Sequence, residues 1–196
     1  PVAREKLSYS HDVDLVNSFV DLHAKKLTAT FPIVIVRHGK AVPATSWDGP
    51  DSQRPLLHRG HEQAQDIAGG LAAYRPETIY TSTATRCIQT ISPLATKAGV
   101  LVKESRKLSQ EKWSADGDNA EAVIERRLAK QKAVVLCSHG PVIPQLVSEL
   151  ISQTEGTVDS IVRKAASPGT GDFSAFHIAV TPNGPRIASV EYHSAP

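Results

Sequence analysis

The sequence predicts an α/β fold: a three-layer sandwich with a mostly parallel central sheet, helices on both faces, and a C-terminal hairpin or pair of edge strands. Three observations predict it. Unbroken apolar runs such as "IVIV" at 33–36 and "AVVLC" at 133–137 show no polar alternation, as expected of strands covered on both faces. Segments with apolar residues at helical spacing alternate with these runs. The tail then changes rhythm, with two strand-like stretches around Pro182-Asn183-Gly184-Pro185.

In chain order, strands are predicted at 33–37, 77–81, 100–103 and 133–137, each rich in Val, Ile or Tyr. Helices are predicted where Ala64, Ile67, Ala68 and Leu71 recur, where Ile88, Ile91, Leu94 and Ala95 recur, and where Ile143, Leu146, Val147, Leu150 and Ile151 recur. The tail strands are placed at 173–181 and 186–193. Residues 40–58, with Pro43, Gly49, Pro50 and Pro55, read as a long irregular loop of the kind that carries function. The domain is taken as 31–196. Residues 1–30, with one short amphipathic pattern at Leu15, Phe19 and Leu22, read as a linker or the end of a preceding domain.

Composition excludes several classes. Lys+Arg 22 against Asp+Glu 20 leaves a net charge of +2, without the basic excess of a nucleic-acid binder. No apolar run approaches the length of a membrane span, so no membrane partner is expected and a cytoplasmic location is. Cys87 and Cys137 make neither a CxxC pair nor a disulfide framework, which suits a reducing compartment.

In open α/β sheets ligands bind beyond the carboxyl ends of the strands. That rule selects Arg37-His38-Gly39 after the first strand, Arg86 in the first turn of the helix after the second, and Ser138-His139-Gly140-Pro141 after the fourth. A cation at a helix N-terminus is unfavourable until an anion binds there. Gly39 and Gly140 let backbone approach a ligand closely. A neutral imidazole attacks phosphorus when its other nitrogen is held, and arginines stabilise the charge on the equatorial oxygens. Any one of these tripeptides is a weak signal; three at strand ends of one sheet point to a phosphate site. Pro141 suits the first position of the helix that follows. His58 and His61 lack further ligands for a metal. "SPGTGD" at 167–172 lacks the Gly-Lys-Ser/Thr of a phosphate loop and reads as a turn.

These residues resemble a known family. "VRHGKA", "TSTATRCIQT", "LSQE" and "VVLCSHGP" are similar to the four motifs of the histidine phosphatase, or phosphoglycerate mutase-like, superfamily, over about residues 31–196. The resemblance implies that His38 is the nucleophile, that Arg37, Arg86, His139 and Gly39 bind the phosphate, that Glu111 is the general acid, and that neither metal nor other cofactor is needed. Where the pattern has Ser-Ser-Pro in the second motif, this chain has Thr81-Ser82-Thr83. Glu104 and Asp116 stand near enough to replace Glu111 as the acid. Trp47-Asp48-Gly49-Pro50-Asp51, Arg54-Pro55-Leu56, Gly60 and Gln63-Ala64 resemble the small SixA-like branch, which includes the phosphatase domain of actinobacterial MutT-type Nudix proteins. The opening "AREKLSYSHDVDLVNSF" is similar to the last segment of such a Nudix domain, though no Nudix box occurs in the chain. Lys40, Arg54 and Ser138 are the candidates for contacting the rest of the substrate.

The expected activity is metal-independent hydrolysis of phosphomonoesters or terminal phosphates of nucleotide-like substrates through a phosphohistidine. The alternatives are a phosphohistidine protein phosphatase and a non-catalytic phosphate-binding or dimerisation domain serving a Nudix hydrolase. The expected partner is a small phosphorylated substrate, with a Nudix domain or a phosphorylated protein as alternatives.

Overall fold

Apolar side chains on both faces of β1 (Thr30–Arg37) decide the layering. Ile33 and Ile35 project into one core and Val34 and Val36 into the other, all of them essentially inaccessible. Successive strand residues alternate faces, so an unbroken apolar run needs cover on both sides. The computed structural model describes residues 10–116, 119–155 and 159–196.

β2 (Thr78–Thr81), β3 (Val102–Glu104) and β4 (Val134–Ser138) join β1 in parallel, and β5 (Phe173–Thr181) and β6 (Gly184–His193) extend the sheet antiparallel to their neighbours. The strand order is β3-β2-β4-β1-β5-β6. The tail is the hairpin that the sequence suggested, and it lies on the same sheet. β3 begins two residues later than expected and leaves Leu101 81% exposed, as an edge strand can.

Seven helices are seen among the described residues. α1 (Ser10–Ala24) comes first, in the stretch read as a linker, and it leaves Leu15, Phe19 and Val20 exposed. α2 (His58–Ala73) and α3 (Thr85–Ala98) cover one sheet face through Ile67, Leu71, Ile91 and Leu94. α5 (Ala120–Lys130), α6 (Ile143–Ser152) and α7 (Ser160–Ala165) cover the other through Ile124, Ile143, Leu146 and Val162. The short α4 (Gln110–Asp116) follows β3 and stands near its carboxyl end. Pro141 does not open α6: it lies in a turn in which His139 O accepts from the N–H groups of Val142 and Ile143, and the helix starts two residues later. Among the described residues no helix is long and apolar enough to cross a membrane.

This topology places a crevice. β1 and β4 are neighbours, with Arg37 opposite Ser138 in the register. The chain leaves β1 for a helix on one face and leaves β4 for a helix on the other. The two loops therefore diverge at the carboxyl end of the sheet, which is the switch point where α/β folds bind ligands.

Candidate active site

The loop after β1 is pinned at each residue. His38 N–H donates to Ser138 O at 3.1 Å, and Gly39 N–H donates to Thr90 Oγ1 at 2.9 Å. Lys40 N–H donates to Gln63 Oε1, whose amide nitrogen reaches Thr170 O. Backbone contact between this loop and the first turn of α2 leaves no room for a side chain: a Cβ on Gly60 would stand 2.2 Å from Lys40 O, and one on Gly39 2.7 Å from Gly60 O. The glycines at 39 and 60 are thus two halves of one contact.

His38 Nδ1 lies 2.8 Å from the carbonyl of Gly39. A carbonyl only accepts, so Nδ1 carries the proton and Nε2 keeps a bare lone pair. The imidazole pKa is pushed down to about 3, chiefly by burial and further by His139, Arg86 and Arg37, against the opposing pull of the Gly39 bond. At neutral pH His38 is an uncharged imidazole beside two cations. Its ring centroid is 5.2 Å from that of His139.

The two arginines are held at one edge and unpartnered at another. Arg37 Nη1 donates to Pro168 O at 2.8 Å, within the turn that the sequence reading set aside, and its Nε is buried without a partner. Gly140 makes space for that guanidinium, since a Cβ there would be 3.2 Å from Arg37 Cζ. Arg86 is 1% exposed. Its Nη1 donates to Asp51 O at 2.6 Å and its Nη2 to Asp51 Oδ2 at 2.8 Å, and its Nε is also buried and unpartnered. Burial alone would push the Asp51 carboxyl up, but Arg54 and Arg86 together hold it below the usual carboxylate range.

Arg86 also fixes the second histidine. Its Nη2 stands 3.2 Å from His139 Nδ1, and a guanidinium only donates, so Nδ1 accepts. His139 Nε2 then carries the proton and donates to Ser82 Oγ at 2.8 Å. Ser82 passes its own proton to Ser109 Oγ at 3.0 Å, and Ser109 passes one to Thr83 Oγ1 at 2.9 Å. Ser109 Oγ also accepts from the Thr83 N–H at 3.1 Å, so with both lone pairs taken its own proton is left for Thr83 Oγ1. Ser82, Ser109, Thr90, Gln63 and Asp51 are site residues to which sequence reasoning gave no role; Ser82 and Ser109 stand inside the quoted motifs "TSTATR" and "LSQE".

A narrow throat of about 10 Å³ reaches Arg86 and His139 and is lined also by Asp51, Ser109 and Glu111. It shares Ser52, Thr83, Ser109 and Glu111 with a cavity of about 440 Å³. Glu111, in the first turn of α4, lines both. Glu104 ends the edge strand β3 and lines neither, while the side chain of Asp116 lies outside the described residues. The candidate substrate contacts are elsewhere. Ser138 is fully buried and donates to Leu108 O at 2.8 Å. Arg54 makes its bonds to Asp51 Oδ1 and Val42 O. Lys40 is exposed beside the loop. Among the described residues no group of three or more His, Cys, Asp or Glu is placed to hold a metal ion.

An α/β sheet with two histidines and two arginines in its switch-point crevice defines the class, and comparison with known proteins gives the family. Residues 33–115 match the model of the histidine phosphatase superfamily, branch 1. An 8-oxo-(d)GTP phosphatase of Mycolicibacterium smegmatis is 32% identical over 145 residues, which are 74% of this chain and 44% of that protein. The chain thus spans less than half of that relative. Among solved structures, a mycobacterial glucosyl-3-phosphoglycerate phosphatase superposes with a TM-score of 0.63 at 17% identity, covering 85% of this chain and 100% of that one. The protein histidine phosphatase SixA, complexed with tungstate, gives 0.57 at 18% identity, covering 83% and 94%. The chain belongs to the histidine phosphatase superfamily.

Removing the acceptor of a buried N–H leaves that group unsatisfied, at a cost of about 1–3 kcal/mol. Ser82→Ala should therefore lower the unfolding free energy in urea by about that much, whereas Ser92→Ala, on the exposed side of α3, should change it by less than about 0.5 kcal/mol. Equal, small effects would show that the serine chain does not hold His139.

Proposed function

We propose that this chain is a phosphatase that removes phosphate from phosphomonoesters or from the termini of nucleotide-like molecules, with His38 as its nucleophile. The bare, uncharged Nε2 of His38, in the field of the half-buried Arg37 and the buried Arg86, carries the reading. The nucleotide-like substrate is supported by the relative that acts as an 8-oxo-(d)GTP phosphatase. The likeness to SixA is one of fold.

The incoming phosphate displaces the Asp51 carboxylate from Arg86, because the throat has room for about one water while that carboxylate is in place. The unpartnered Nε groups of Arg37 and Arg86 then donate to its oxygens. His38 Nε2 forms a bond to phosphorus as the bond to the leaving oxygen breaks, and Glu111 gives that oxygen a proton. Nδ1 keeps its own proton on Gly39 O, which delocalises the positive charge of the phosphohistidine ring. Water then attacks phosphorus, Glu111 takes one of its protons, the N–P bond breaks, and inorganic phosphate leaves. The sum is ester plus water to alcohol plus phosphate. Positive charge for the transferring group comes from guanidinium groups.

A rapid quench at high pH after mixing with a phosphorus-labelled substrate should trap an acid-labile, base-stable adduct. His38→Ala should lose both adduct and turnover; full turnover in that variant would refute the mechanism. A second test isolates Glu111. General acid assistance is worth about 10²–10⁴-fold when the leaving group is strongly basic. Glu111→Gln should slow alkyl phosphates by that order and p-nitrophenyl phosphate far less. Equal, slight effects on both would make Glu111 a solvated surface carboxylate, and the same contrast in Glu104→Gln would move the role there.

A further inference from the structure

A separate cavity, of about 290 Å³, lies at the other end of the sheet, between the last turn of α5 and the first residues of β2 and β4. Its walls carry Arg127, Lys130 and Lys132 beside Glu77, Thr78 and Val134. Val134 and Ser138 are the two ends of β4, about 13 Å apart at the usual rise, so this cavity is remote from the crevice of His38 and His139. The one carboxylate on its wall is already taken, since Glu77 holds Lys132 at 2.6 Å. Among the described residues no carboxylate stands within ion-pair distance of Arg127 or Lys130.

Arg127 sets this cluster apart from a solvated basic patch. It is 8% exposed, and its Nε is buried without a partner. Its Cζ stands 4.1 Å from the centroid of the Tyr80 ring, and Lys103 Nζ lies 5.9 Å from the same ring. The Tyr80 phenol reports the local field. A hydrogen bond from Arg127 and the charges of Arg127, Lys130 and Lys103 hold it below its usual range, against the opposing effect of burial. The ring face and the carbonyl end of α5 each offset part of the guanidinium charge. Neither is an anion. A buried charge ordinarily has a counter-charge, and no side chain among the described residues supplies one here.

We propose that this cavity binds a small, multiply charged anion: a phosphate group, either free or carried on a small molecule. Two cations without carboxylate partners favour a dianion over a monoanion, and a phosphate monoester carries about −1.5 to −2 at neutral pH. Arg127 contributes a planar fork of donors and Lys130 a point charge. None of these side chains lines the throat or the cavity beside it, so the site stands apart from the phosphatase reading.

Nitrogen-15 amide NMR of the whole chain reads the two ends of the sheet separately. Titration with sodium phosphate should shift the amides of Thr78, Arg127 and Val134 along a saturating curve, with a Kd of about 1 mM or tighter. Sodium acetate at matched ionic strength should give no such curve. Lys130→Glu should weaken phosphate binding at these amides about tenfold, and Arg127→Gln should weaken it further. Any response at Gly39 and Gly140 should match that of the parent protein in both variants. Glycerol 3-phosphate separates the two sources. Tighter binding than inorganic phosphate assigns the site to a phosphorylated small molecule, and weaker binding assigns it to the free ion. Shifts that rise without saturating, or an equal response to acetate, overturn the site. So does a Kd unchanged in Lys130→Glu, an exposed position whose variant decides the matter even if Arg127→Gln fails to fold.

Discussion

The hydrogen bond from His38 Nδ1 to the carbonyl of Gly39, 2.8 Å long, determines which ring nitrogen faces the crevice. That carbonyl can point back at the ring only because Gly39 packs on Gly60 with no side chain between them and its N–H is held by Thr90. Burial then keeps the ring neutral, and the neighbouring guanidinium groups add to the effect. A charged imidazole would have no lone pair to offer. The sheet topology supplies the setting, since β1 and β4 are the adjacent strands whose following helices part to opposite faces.

Arg86 shows how a buried cation is kept without its ligand. An unpaired buried charge is strongly destabilising. Asp51 satisfies two of its edges, and Arg54 in turn holds Asp51. In the proposed reaction a phosphate would replace the carboxylate, one anion for another, and the guanidinium would not be left alone in the interior. The long loop at 40–58 is therefore part of the site through its backbone and Asp51, while Arg54 serves Asp51 and not the substrate side of the cavity.

Much of this was legible in the chain. Apolar runs without alternation mark the doubly covered strands, and the rule about carboxyl ends singles out Arg37, His38, Arg86 and His139 from the chain alone. The turn at 167–172 was read correctly as a turn, but its role as acceptor for Arg37 depends on a contact 131 residues apart in sequence. Asp51, Ser82 and Ser109 were hidden for a related reason. Single polar residues in loops carry no periodicity, and their meaning lies in which acceptor faces which donor after folding. Ser138 shows the converse: standing beside a key histidine in sequence, it points into the core to hold Leu108 O.

The chemistry turns on the protonation state of one ring, and nitrogen-15 NMR of the imidazoles reads it directly. Folding lowers the His38 pKa from 6.5 to about 3, so the neutral form should persist well below the pH at which an exposed histidine charges. The stability that this linkage contributes is present above pH 6.5 and is lost as the pH falls toward about 3. The expected spectrum shows His38 as the Nδ1–H tautomer, with Nε2 at the shift of a bare nitrogen and no titration between pH 8 and about 4.5. A His38 that titrates near pH 6.5, or that carries its proton on Nε2, would contradict the account.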